Sequence, residues 1–218
     1  MLLVIKIFLI TLLSLFSFEL YAKDKLTIDE KVLKISEKSY GKEAVQRVKN
    51  LIKFLNSINN KSEEEKLKLV NDYFNNIKFD SDIDNWKVPD YWATRLEFLG
   101  KNKGDCEDYV IAKYFSLIQL GISEVKLYLT YVKAIKYRQS HMVLTYFKNK
   151  NEPPLVLDNI NKKILPSTKR DDLWPLFSFN GEKIYMAKQR GLGRIIPNGK
   201  VNLKQWTNLI LKIKREKI

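Results

Sequence analysis

The sequence predicts an α+β domain in which N-terminal helices pack on an antiparallel sheet. Two observations carry that expectation. Apolar residues recur at helical spacing up to Leu120, and beyond it the period shortens to runs rich in β-branched and aromatic residues. Helices first and strands second point to segregated layers rather than alternating βαβ units. No internal repeat or low-complexity linker divides the 218 residues, so one domain behind a short leader is expected.

The leader is residues 1–22. Met1 to Phe18 is nearly all apolar with Lys6 its one charge, and Leu20-Tyr21-Ala22 precedes the charged Lys23-Asp24-Lys25. This is the layout of a secretory signal cleaved after Ala22, with a domain over 23–218. The alternative is an uncleaved anchor, although the run is short for a membrane span of about 20 residues.

A helix is expected from Lys42 to Leu55, with Val45, Val48, Leu51, Ile52 and Leu55 on one face. Ser62-Glu63-Glu64-Glu65 is a capping box that starts another, carried by Leu67, Val70, Tyr73 and Phe74. Residues 79–104 read as a loop-rich stretch whose Trp86, Tyr91 and Trp92 either wall a site or pack on the core. Cys106 to Leu120 is helical again, with Gly121 as its C′ residue. Strands are expected at Val125–Val132, His141–Phe147 and Leu155–Asp158, with further pieces near Ile164 and Ile184. From Val201 onward a helix turns Leu203, Trp206, Leu209, Ile210 and Ile213 inward.

The formal net charge is +14, from Lys and Arg spread along the whole chain. No nucleic-acid motif and no interleaved basic–aromatic stripe accompanies it, so nucleic-acid binding is not expected. The chain has one cysteine, which rules out an internal disulfide, and one histidine.

Those two residues carry the chemistry. Cys106 lies in Gly104-Asp105-Cys106-Glu107-Asp108-Tyr109 at the start of a helix, where unpaired N–H groups favour a thiolate and can hold an oxyanion. His141 opens a strand and is the available base. Asp158 ends a strand and suits the orienting role, with Asn159 its competitor. Asp at a strand end is also a common turn former. Asp105, Glu107 and Asp108 surround the thiol with negative charge, which should oppose its ionisation. Either Asp105 and Asp108 cap the helix, or the three carboxylates hold a cation such as Ca²⁺.

Asp90-Tyr91-Trp92-Ala93-Thr94 with Glu97-Phe98-Leu99, then the Gly104–Tyr109 stretch with Ala112-Lys113-Tyr114, resembles the bacterial transglutaminase-like cysteine proteinases, the LapG-like proteases. His141-Met142-Val143-Leu144, Leu155-Val156-Leu157-Asp158-Asn159 and Asp172-Leu173 fit the same pattern in the same order. The resemblance spans roughly Lys42 to Tyr185 and departs at Arg95, where members often carry Pro. It implies a papain-like or transglutaminase-like fold and a catalytic triad of Cys106, His141 and Asp158. It also implies a Ca²⁺ site using Asp105, Glu107 and, with them, Asp108. Periplasmic endopeptidases of this family cut a large surface adhesin near its N-terminus and disperse biofilm. An inner-membrane receptor that senses cyclic-di-GMP holds them in check. Two other classes share these residues: a transglutaminase or amidase on the same triad, and a non-catalytic module presenting a basic, aromatic surface to an acidic partner.

Overall fold

The structure, a computed structural model, describes residues 25–149, 151–181, 183–200 and 204–216. The leader expected at 1–22 and Leu203 of the tail helix lie outside the described residues.

Three helices form the N-terminal layer: α1 (Glu30–Tyr40), α2 (Lys42–Ile58) and α3 (Glu63–Phe74). Gly41 separates α1 from α2 at φ +82°, a backbone angle that favours glycine. The capping box expected at Ser62 is present, with Ser62 and Glu65 each bonding the other's amide. A short β1 (Lys78–Phe79) and α4 (Asp82–Trp86) follow, then α5 (Arg95–Lys101) and β2 (Lys103–Gly104), which pairs in parallel with β1. The stretch expected to be loop-rich therefore holds two helices. A second capping box, Thr94 with Glu97, starts α5, and Arg95 stands at its first helical position, where Pro is also well suited.

Helix α6 (Cys106–Gln119) packs against α3 and α5 on one side and against strands on the other. Covered on both sides, it buries Val110, Ile111, Ala112, Tyr114 and Leu117. Gly121, at φ +82°, ends it as expected.

The strands are β3 (Leu127–Ala134), β4 (Gln139–Tyr146), β5 (Leu155–Leu157), β6 (Leu165–Pro166), β7 (Leu173–Asn180), β8 (Lys183–Lys188) and β9 (Gly191–Lys200). They form one antiparallel sheet in the order β6-β5-β4-β3-β7-β8-β9. Leu129, Met142, Leu144, Leu157 and Phe179 join the core shared with the helices, while Val132, Ala134, Val143, Val156 and Leu173 form a second cluster. The hydroxyls of Thr145, Thr130 and Ser178 bond in series across β4, β3 and β7, each link 2.8 Å, and so pin that register. In it, His141 stands opposite Val132, with Asp158 just past the end of β5.

The tail helix α7 (Lys204–Glu216) buries Trp206 and Leu209. Ile210 and Ile213 pack partly buried against the core.

Candidate functional site

Asp105 is the N-cap of α6, so Cys106 opens the helix where backbone amides are unpaired. The thiol is half-buried and donates a hydrogen bond to Glu107 Oε2 at 3.1 Å. Helix α6 packs against β4, and the backbone N–H of Met142, the residue after His141, acts to lower the thiol pKa. Burial, then the charges of Glu107 and Asp105, push the thiol pKa well above its ordinary value. Burial, the largest of these causes, favours the protonated thiol.

His141 is buried, and its Nε2 lies 2.8 Å from Asp158 Oδ1. An Nε2–H donated to the carboxylate leaves Nδ1 as the basic nitrogen. Asn159 makes no such contact: its Oδ1 is buried without a hydrogen-bond partner. Asp158 Oδ1 also accepts the Ile160 amide at 2.9 Å, so the residue both forms its turn and bonds the imidazole. Its other oxygen accepts from Arg170 Nη2 at 2.6 Å. Despite burial, the bonds from His141 and Arg170 hold the Asp158 carboxyl below the usual carboxylate range.

The acidic surroundings of Cys106 are larger than the sequence suggested. Asp82 of α4 joins Asp105 and Asp108 in one group, and Asp90 and Glu107 in another, with candidate ligand oxygens of each group within 4.8 Å of one another. Two unit charges 4.8 Å apart repel by about 3.5 kcal/mol at an effective dielectric constant of about 20. Three such pairs approach the whole stability of a domain, about 5–15 kcal/mol. A full set of ionised carboxylates here therefore needs a compensating cation. Without one, protons take its place: Asp105, Glu107 and Asp108 all have raised pKa values, with burial the largest cause in each.

The donor set fits a hard cation such as calcium, which takes several oxygen ligands. Asp82 Oδ1, Asp105 Oδ1 and Asp108 Oδ2 are buried without hydrogen-bond partners, an arrangement that is costly unless something else binds them. Asp82 is 4% and Asp108 0% exposed. Gly104 leaves the room: a Cβ there would collide with Asp108 Oδ2 and the Phe98 ring. Capping does not account for the cluster, because Asp105 makes no side-chain cap bond to α6. Glu107 and Asp108 are themselves buried.

The segment from Asp90 to Glu97 closes over these carboxylates. Asp82 Oδ2 accepts the Tyr91 amide at 2.5 Å, and Asp108 Oδ1 accepts the Ala93 amide at 2.8 Å. Trp92 belongs to the core, at 4% exposure and stacked on Phe179, whereas Trp86 and Tyr91 stack on each other, partly buried. From outside, α7 straps the segment down. Gln205 bonds Asp90, Lys212 bonds both Trp92 O and Glu97, and Glu216 accepts the Thr94 hydroxyl. The tail helix thus touches the segment beside the site, although its sequence sets it apart from the motif.

Sequence reasoning missed Asp82, Asp90 and Arg170 as parts of this site. Ser81 caps α4 through Asp84, and Asp82 sits between them like an ordinary first-turn acid. Arg170 is one of many cations in a basic chain, and only the fold distinguishes it.

The pattern of the bacterial transglutaminase-like cysteine proteinase family, BTLCP, matches residues 39–174. Among solved structures, Legionella pneumophila LapG is 32% identical at a TM-score of 0.72, over 87% of this chain and 99% of that one. Its calcium-bound form is 33% identical at 0.71, over 84% and 98%. An EGTA-treated form is 32% identical at 0.72, over 87% and 100%. No curated protein sequence matches the chain.

Proposed function

The chain belongs to the bacterial transglutaminase-like cysteine proteinases, and on that premise we propose that it is a calcium-dependent periplasmic endopeptidase. Its substrate is the N-terminal region of a large surface adhesin, whose release disperses biofilm. An inner-membrane receptor that senses cyclic-di-GMP in the cytoplasm restrains it. The apolar leader supports export, and the family resemblance supports the substrate and the regulator. The observation that carries calcium dependence is the buried carboxylate cluster around Cys106, with its unpartnered oxygens. The existence of calcium-bound and EGTA-treated forms of the Legionella protein points the same way.

In this reading Cys106 is the nucleophile, His141 the base and Asp158 its orienter. Asp82, Asp90, Asp105, Glu107 and Asp108 supply the ligands. Bound calcium supplies positive charge that lets the carboxylates stay ionised without raising the thiol pKa. The thiol proton passes to His141 and later to the leaving amine, while Cys106 carries the acyl group until water releases it. Amides at the start of α6 face the developing oxyanion.

The test is cleavage of the adhesin's N-terminal region by the purified chain. Wild type should cut in calcium and stop in excess EGTA. Cys106→Ala and His141→Ala should keep the fold and lose cleavage. Retained cleavage in either variant refutes the roles given to Cys106 and His141.

A further inference from the structure

Beyond Cys, His and Asp stands a buried arginine that the chemistry has not used. Arg170 follows β6 and is 2% exposed. Its Nε and Nη2 donate to Asp172, each at 2.8 Å, and the same Nη2 donates to Asp158 Oδ2 at 2.6 Å. Asp158 Oδ2 faces Arg170 while Oδ1 faces His141. The guanidinium therefore fixes the carboxylate by the edge opposite the imidazole.

We propose that Arg170 is a positioning residue for the His141–Asp158 pair: it orients the carboxylate and limits how tightly the imidazole holds its proton. The proposal rests on His141 and Asp158 being the catalytic base and its orienter. A carboxylate shared with a guanidinium has part of its charge answered on the far side, so it attracts the imidazolium less. A base that must accept a proton from a thiol and return it to an amine is served by such moderation. Arginine suits the place because its planar fork bridges two carboxylates at once, which a lysine ammonium does with less geometric definition. Asp172, whose side chain is 45% exposed, tunes the effect from outside by answering part of the guanidinium charge.

Other groups face the pair. Lys113 of α6 is fully buried and donates to Asn75 Oδ1 at 2.8 Å, and Asn75 Nδ2 in turn donates to the Asp158 carbonyl at 2.8 Å. Cys106 adjoins the strand that carries His141. Arg170 is the one of these cations that touches the Asp158 carboxylate itself.

The single histidine makes the test direct, because the chain has one imidazole whose ring signals can be followed by NMR. In calcium, Arg170→Met should move its titration midpoint up by about one pH unit or more. Arg170→Lys should restore most of that change. Asp172→Asn should move the midpoint down, because it leaves the guanidinium less answered. The same Arg170→Met should lower kcat about tenfold or more with KM little changed. An Arg170→Met midpoint equal to wild type in a folded protein overturns the proposal. If Arg170→Met does not fold, Asp172→Asn decides, and a midpoint unchanged or raised overturns it. His141→Ala separately tests whether the pair is catalytic, so the two failures are distinguishable.

Discussion

Replacing Asp82 by asparagine separates a ligand from a merely structural acid. Asp82 belongs to both carboxylate groups, with ligand oxygens within 4.8 Å of its neighbours. Each ionised pair costs about 3.5 kcal/mol at that distance in an effective dielectric constant of about 20. Protons already relieve much of this in the cation-free protein, so the expected gain on removing the Asp82 charge is smaller, about 1–2 kcal/mol. For a domain of this size that raises Tm by about 2–4 °C per kcal/mol. Asparagine keeps an oxygen for the Tyr91 amide, and its own amide can donate to the Asp105 or Asp108 carboxyl. Calcium affinity should instead fall by at least tenfold, about 1.4 kcal/mol. The assay is thermal unfolding in EGTA beside calorimetric calcium titration. The expected signature is opposed: a more stable calcium-free protein that binds calcium less well. A lower Tm in EGTA with unchanged affinity would refute the reasoning and leave Asp82 as a backbone brace.

Three further outcomes follow from the same contacts. In EGTA the folded chain keeps protons on Asp105, Glu107 and Asp108 that the unfolded chain releases above about pH 4, so stability should fall as pH rises from 5 to 8. Melting curves in calcium should flatten that slope; a slope of the opposite sign in EGTA contradicts the raised pKa values. Gly104→Ala forces a methyl against the Asp108 carboxylate and the Phe98 ring and should weaken calcium binding, measured by calorimetry. Lys212→Met removes the cation that α7 places on Glu97 and the Trp92 carbonyl, and should cost about 2 kcal/mol or more in chemical denaturation.

Much of the fold was legible because its signals are local. The Ser62 box, the apolar stripe of α6 and Gly121 each act within a few residues. Thr94-Arg95-Leu96-Glu97 carries the same box signal, but the short α5 offers too few turns for periodicity to support it. Strand β7 was hidden by Pro175, which counts against a central strand. It is accommodated where the β3–β7 register shifts, between Tyr131 and Val132, beside the Pro175 pairing. At the site, His141 and Cys106 stood out because each occurs once. Asp82, Asp90 and Arg170 did not, since an acid near a helix start and an arginine in a basic chain have ordinary local explanations. Their roles come from distant segments meeting: α4 against the start of α6, and the β6–β7 connection against the end of β5.

The central claim is that Cys106 is a nucleophile restrained by its own carboxylates and freed by calcium. With one cysteine in the chain, the rate of alkylation by iodoacetamide at pH 7 reads this thiol alone. Alkylation should be slower than that of an ordinary exposed thiol in EGTA and at least tenfold faster in calcium. A rate that is the same in both conditions would contradict the account.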